Sequence, residues 1–493
     1  MDNNILLLYP PGLPYTTPPL GLAYLAAVIE KNGIPVKIVD ASVEELSLKQ
    51  TFPKIEESNC RILGITARTP DYPVVNKLLF VLKRRYPDLK VVLGGPHATL
   101  IPDQVLASGL CDYVVRGEGE YSFLELSKCI LEDGDSRDRL SQINGISYLI
   151  NNQIIHNPPR TFIENLDEIP FPARYLLPIR KYRNYGQVVK RKPVSVIITS
   201  RGCPYRCIFC CNAVFGRKYR FHSPERVINE IRYLKDNFQT REINFIDENL
   251  TAHPKRIEAL CEAIIAAKLD ITWHCQAHAN TLDISLMEKM KKAGCWFVHI
   301  GVESGDPRIL EIIRKDIDLK HVKKIFKDAH KVGLRTLAYF MIGNFDDTKD
   351  SIKKTIDFSL NLDTDYAAFS ITTPFPGTEI MEMARENGFL LEEDYAFMNS
   401  QKTSIGKGRP ILRTKELNTE ELKRYQRIAT RKFYLRPKQV IRILKKIETI
   451  HQLMLLADLI KGFFKINPKP YEGEEGVKKE IDRFYHNSKN IIS

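Results

Sequence analysis

Short apolar runs alternating with amphipathic stretches, in two separate series, fix most of what this chain can fold into. The first series is ILLLYPP, VKIVD, ILGIT, VVLGG and YVVRG, within residues 5–117. These runs lack the apolar–polar alternation of a strand with one wet face, so they read as parallel strands covered on both sides. GLAYLAAVIEKNG and VVNKLLFVLKRRYP read as helices between them. Strands alternating with helices define an α/β class and a doubly wound, Rossmann-like domain, here over 1–140. Ligands of such sheets sit beyond the carboxyl ends of the strands. Those ends include PPGLPYTTPPLG (10–21), TARTPDY (66–72), GGPHATLIP (94–102) and RGEGE (116–120). They are rich in Gly and Pro and long for simple turns, which suits a large polar ligand approached by backbone. A dinucleotide is the obvious candidate, yet no G-x-G-x-x-G turn follows the first strand.

The second series begins near 193 with VSVIITSR, EINFIDEN, ITWHCQAH, FVHIGVES, RTLAYFMIG and AAFSITTPF. The helix SPERVINEIRYLKDNF between two of them has Ser223 as N-cap and Pro224 at its first position. Six βα units predict a partial (β/α)6 barrel over 193–405, with its active groups on the loops after the strands. Residues 141–192 read as a connector containing a small hairpin and the proline-rich NLDEIPFPARYLLP. Past 405 the strand pattern stops, and 406–493 reads as a basic helical C-terminal region interrupted near Pro437. Residues 407–465 carry 16 Lys/Arg against 5 Asp/Glu, a net of +11 out of +13 for the chain. A solvated helical face, a cap packed over the barrel, a cover for a hydrophobic substrate, and a surface for nucleic acid or an anionic membrane each account for this. The N-terminus has no basic n-region or cleavage site, and no apolar run approaches the roughly 18 residues of a spanning helix. Ten irregularly spaced cysteines do not suggest a disulfide framework, so a reducing, cytoplasmic setting is expected.

The stretch SRGCPYRCIFCCNAVFG follows the first barrel strand and holds Cys203, Cys207, Cys210 and Cys211. A structural zinc site pairs two ligand knuckles, and no second one exists: Cys261, Cys275 and Cys295 stand alone, and His222 has no ligand-spaced partner. Adjacent Cys210 and Cys211 would point opposite ways in an extended chain. Three thiolates at C-x3-C-x2-C suit an iron–sulfur cube with one iron free of protein ligand. Cys203, Cys207 and Cys210 are therefore the expected metal ligands, and Cys211 has no assigned role.

C-P-Y-R-C-I-F-C on the first loop of a βα barrel resembles the radical S-adenosylmethionine (SAM) superfamily. The resemblance implies a 4Fe-4S cluster whose open iron is chelated by SAM, and cleavage of SAM to a 5′-deoxyadenosyl radical. It implies that Phe209 lies near the adenine. FIDENLT (245–251) makes Asp247 and Glu248 candidates for the SAM ammonium or the substrate. GVESG (301–305) places Glu303 and Ser304 near the ribose or methionine. YFMIGNFDDT and PFPGTE match later barrel loops. The third strand ends in CQAHAN where relatives often carry arginine, so His278 is either its replacement or a structural residue.

The N-terminal loops resemble the cobalamin-binding domain fused ahead of many radical SAM enzymes. The order of Rossmann-like domain, LDEIPFPAR connector and cysteine-bearing barrel extends that resemblance over about residues 3–435. D-x-H-x-x-G, whose histidine ligates cobalt in other cobalamin proteins, does not occur. The resemblance therefore implies cobalamin without a protein histidine on cobalt, with Arg68 as a candidate near the lower face. It places Gly94, Gly95, Pro96, His97, Gly117, Glu118, Gly119 and Glu120 against the corrin or nucleotide tail. FYLRPKQVIRILKKI (433–447) resembles the group that includes the anaerobic magnesium-protoporphyrin ester cyclase and hopanoid-modifying enzymes. The expected activity is methylation of an unactivated carbon through the deoxyadenosyl radical and methylcobalamin. Oxidative cyclisation, ring contraction or carbon–carbon coupling is the alternative. Expected partners are a small or lipid-like substrate, an electron donor such as flavodoxin or ferredoxin, and a peripheral membrane surface. Nucleic acid is not expected, because the extra cluster cysteines and β-domain of RNA methylthiotransferases are missing.

Overall fold

The structure is a computed structural model, which describes residues 2–444 apart from 13–16, 183–188, 392–394, 396–397 and 400–407. Its first sheet holds β1 (Asp2–Tyr9), β2 (Val36–Asp40), β3 (Cys60–Thr66), β4 (Lys90–Gly94), β5 (Tyr113–Val115), β6 (Ile146–Ile150) and β7 (Gln153–His156). The strand order is β2-β1-β3-β4-β5-β6-β7, with β1 to β5 parallel. β1 shows why its sequence is one apolar run. Ile5 and Leu7 enter the core on one face of the sheet, and Leu6 and Leu8 enter the core on the other. Burying each such side chain contributes roughly 1.5–3 kcal/mol.

The hairpin β6–β7 falls in the expected connector but extends the first sheet, with Tyr148 opposite Tyr113. The sheet therefore runs to His156, past residue 140. The physical reason is the short strand β5, whose open edge the hairpin covers. The rest of the connector ties the two halves together. Ala173 donates its N–H to the carbonyl of Ala23 in the first domain at 2.9 Å. Next to it, Arg174 is buried and bonds both Glu230 (2.6 Å) and the Val196 carbonyl (2.8 Å) of the barrel.

The second sheet holds β8 (Val194–Ile197), with the short β9 (Ser200–Arg201) and β10 (Arg220–Phe221) forming a separate ladder above it. It continues with β11 (Glu242–Phe245), β12 (Thr272–Ala277), β13 (Cys295–Glu303), β14 (Arg335–Ile342) and β15 (Tyr366–Ile371). The order is β8-β11-β12-β13-β14-β15, all parallel and open, as six βα units require. Along β14 and β15 the residues alternate. Phe340, Ile342, Phe369 and Ile371 are buried against helices, while Tyr339, Met341, Ala368 and Ser370 are half-buried on the inner face. Gln276, on an interior strand of this sheet, is exposed. The inner face of the barrel therefore lines an open space.

The helix Thr419–Tyr434 closes the β15 edge. Gln426 donates to the Phe369 carbonyl at 3.1 Å, and the Tyr434 hydroxyl bonds both the N–H (3.2 Å) and the carbonyl (2.8 Å) of Ala367. A second helix, Pro437–Leu444, follows the expected break, and 445–493 lies outside the described residues. No described helix is long and apolar enough to cross a membrane. All ten cysteines are free.

Candidate active site where the two sheets meet

The four cysteines lie on the loop between β9 and β10, whose two strands pair antiparallel with Arg201 opposite Arg220. The loop is thus a closed lariat rather than a free connection. Gly202 makes its base possible: its φ is +85°, and a Cβ there would meet the Lys218 carbonyl oxygen. Cys207 and Cys210 each feel Cys203, and all three feel the Lys315 ammonium; Cys211 feels neither, and its one charged neighbour, Glu248, acts on Cys203 too. Burial pushes all four thiols up, Cys210 to about 12. Cys210 is nevertheless exposed, as expected of a side chain crowded by protein but facing an open space. Among the described residues no group of three His, Cys, Asp or Glu side chains is arranged around a single ion. Three thiols on one loop, with an exposed carboxylate and a buried ammonium nearby, fit a cluster with one thiolate per iron.

Asp247 and Glu248 follow β11 but differ. Asp247 is 1% exposed, and its Oδ1 accepts from the Thr199 N–H (3.0 Å), the Thr199 hydroxyl (2.8 Å) and the Ser200 hydroxyl (2.5 Å). It joins the end of β11 to the start of the lariat. Glu248 is exposed, and burial of its surroundings together with Asp247 raises its carboxyl to about 7. Glu303 has φ +68° at a register shift beside β14, and its Oε1 lies 3.4 Å from Lys315 Nζ. A Cβ at Gly301 would meet Glu303 Oε1, so this glycine leaves room for the pair. Burial raises the Glu303 carboxyl and Lys315 opposes it. Both charges act on Cys207 and Cys210.

Ser304 is fully buried and committed to Thr355 (3.1 Å) and to the Asp306 N–H (3.1 Å). Phe209 packs with Ile309, Leu310, Ile313 and Ile380. His278 stacks on Tyr205 of the lariat, with ring centroids 3.8 Å apart. Burial, with Lys315, lowers its imidazole to about 3.

In the first domain, Arg68 makes a two-pronged pair with Asp71 (2.7 and 3.0 Å). Gly95 adopts φ +87°, where a Cβ would meet Thr66 Oγ1 at 2.7 Å, and Pro96 opens the short helix Gly95–Leu100 after Gly94. His97 is fully buried between Tyr72 and Tyr395, with centroids 4.2 and 4.9 Å away, and its Nδ1 lies 3.3 Å from Thr69 Oγ1. Burial lowers its imidazole to about 4. Gly117 has φ +72° and donates its N–H to Thr99 Oγ1 at 3.1 Å, and Gly119 caps the helix Glu120–Asp133.

The side chains of Glu118 and Glu120 leave this edge. Glu118 bonds Arg201 and Arg220, and Glu120 bonds Arg201, all nearly buried. At the opposite end, Gly377 after β15 abuts Leu100 after β4 so closely that a Cβ would clash. The carboxyl ends of both sheets thus face one another, joined at both ends. The sequence signal for Arg201, Arg220 and Lys315 was absent, because these residue types are ordinarily exposed. The paired acids of GEGE were the one available hint.

Fold and site together define a radical SAM barrel joined to a B12-binding domain. Residues 197–359 match the radical SAM superfamily and 13–127 match the B12 binding domain. The chain is 37% identical over 473 residues to an uncharacterized methyltransferase of Pyrococcus horikoshii, covering 94% of this chain and 98% of that one. It is 30% identical over 370 residues to the anaerobic magnesium-protoporphyrin IX monomethyl ester cyclase of Rubrivivax gelatinosus, covering 74% of this chain and 66% of that one. A solved structure of the cobalamin-dependent SAM radical enzyme OxsB, with aqua-cobalamin and SAM bound, shares the fold. Its TM-score is 0.72 at 17% identity, over 98% of this chain and 75% of that one. The chain belongs to the cobalamin-binding radical SAM enzymes.

Proposed function

We propose that this enzyme methylates an unactivated carbon of a small organic substrate held between the two sheets. The observation that carries the reading is the meeting of the cysteine lariat and the ligand edge of the first domain at one place. Methyltransferases among the relatives, the uncharacterized one of Pyrococcus horikoshii included, support methylation. The domains follow as 1–140 for cobalamin, 141–192 as connector, 193–405 for cluster and SAM, and 406–493 as helical region, with β6–β7 structurally part of the first.

When bound, the cluster with SAM supplies a 5′-deoxyadenosyl radical and cobalamin supplies the methyl group. Cys203, Cys207 and Cys210 hold the cluster. Glu248 and the Glu303–Lys315 pair receive the charged ends of SAM, and Phe209 supports its adenine. Asp247 and Ser304 position these groups from behind. The backbone of 94–97 and 117–119 meets cobalamin, with Arg68 and Asp71 presented as a neutral pair at the same edge. On the inner barrel face Gln276, Tyr339 and Ser370 offer hydrogen bonds and Met341 and Ala368 an apolar wall. These groups suit an uncharged substrate moiety. An electron donor of the flavodoxin or ferredoxin kind approaches the lariat where Pro204 and Arg206 are exposed.

The expected result for methylation is substrate-dependent S-adenosylhomocysteine alongside 5′-deoxyadenosine in anaerobic assays on host extracts. Deoxyadenosine with product but no S-adenosylhomocysteine would transfer the assignment to radical cyclisation or coupling, the reading favoured by the likeness to the ester cyclase. Peripheral membrane contact in a cytoplasmic setting is supported by Leu435, Val440 and Ile441, which are 51, 40 and 52% exposed beside the exposed Lys432 and Lys438. Sedimentation with anionic vesicles at low salt, lost in V440E/I441E, is expected; indifference to such vesicles would refute the contact.

A further inference from the structure

The turn 116–120 does two things at once. Its glycines keep the backbone at the ligand edge of the first domain, with Gly117 in the left-handed region and Gly119 at a helix start. Its acidic side chains turn the other way and grip the base of the cysteine lariat. Glu118 Oε1 accepts from Arg201 Nη1 (3.0 Å) and Arg220 Nη1 (2.9 Å), and its Oε2 accepts from Arg220 Nη1 (2.9 Å) and the Ile163 N–H (2.8 Å). Glu120 Oε1 accepts from Arg201 Nη2 at 2.6 Å. Arg220 also donates to the Ile163 carbonyl (2.8 Å) and to Phe215 O within the lariat (3.0 Å). The four charged side chains are between 2 and 7% exposed.

Charge makes this more than packing. Arg201 and Arg220 are cross-strand partners in the two-residue ladder that closes the lariat. Two like charges directly opposite repel, and water does not screen them here. Glu118 sits between the two guanidiniums, and Glu120 completes a balance of two positive and two negative groups. The ladder holding all three cluster cysteines therefore depends on carboxylates supplied by the other domain. Removing one carboxylate leaves an uncompensated buried cation, which buried ion networks do not tolerate well.

We propose that Glu118 and Glu120 form a latch that couples cobalamin binding in the first domain to the ordering of the cysteine lariat. The proposal rests on the cobalamin assignment above. An ordered lariat fixes the two acids, the acids fix the turn 116–120, and the fixed turn is preorganised for cobalamin. Linkage makes the effect reciprocal.

The test is absorbance titration with hydroxocobalamin, under anaerobic conditions, of the full chain with and without its reconstituted cluster. In wild type the cluster-loaded form is expected to bind about tenfold more tightly. E118Q is expected to bind cobalamin with the same affinity in both forms. If E118Q does not retain its cluster, E120Q leaves Glu118 between the arginines and is expected to narrow the ratio while keeping full iron content. Equal affinities in wild type, or an unchanged ratio in the variant that retains its cluster, would overturn the latch alone. No binding of hydroxocobalamin to wild type would overturn the cobalamin assignment and the latch with it.

Discussion

Replacing Cys203, Cys207 or Cys210 by serine is expected to abolish the iron–sulfur chromophore, while Cys211→Ser keeps it. Cys203, Cys207 and Cys210 all feel the Lys315 ammonium, and Cys211 does not. A serine hydroxyl is a poor substitute because the ligand must be an anion, and a hydroxyl gives up its proton far less readily than a thiol. Iron content and visible absorbance after anaerobic reconstitution measure the effect directly. Losses should be near complete for each of the three and within error of wild type for Cys211→Ser. Loss of the chromophore in Cys211→Ser would reassign the ligands.

Asp247→Ala is expected to destabilise the cluster-free protein by about 3 kcal/mol. The residue reads in sequence as a contact for the SAM ammonium or the substrate, yet its Oδ1 is filled by three donors from Thr199 and Ser200 at the root of the lariat. Truncation orphans a buried backbone N–H and two hydroxyls and leaves the nearby Arg256, itself 4% exposed, short of a counter-charge. Asp247→Asn retains an oxygen acceptor and should cost less than half as much. Urea unfolding of both variants measures this. A contact made only with bound SAM would leave the stability of both variants unchanged.

The strands were legible because β1 and its neighbours bury successive residues on opposite faces, a demand that writes itself as an unbroken apolar run. The cysteine loop could be placed after the first barrel strand, but the two-residue ladder that closes it into a lariat could not be read. What could not be read was where polar side chains find their partners. Ser304 bonds Thr355 across 51 residues, and Glu118 bonds Arg220 across 102. Such pairings follow from topology and leave no local pattern. Glu248 is exposed at its strand end, whereas Asp247 beside it is turned inward. The same one-residue step separates the ligand-edge glycines 117 and 119 from the latch acids 118 and 120. The hairpin β6–β7 was visible as a hairpin, but its joining the first sheet depended on the open edge of β5.

Electron paramagnetic resonance on the holoenzyme, with the cluster reduced and cobalamin held as cob(II)alamin, tests whether both cofactors face one space. A cob(II)alamin signal broadened by the nearby cluster spin is expected, with the broadening lost when the cluster is oxidised. Two full-intensity signals, each identical to that of the protein carrying one cofactor alone, would contradict it.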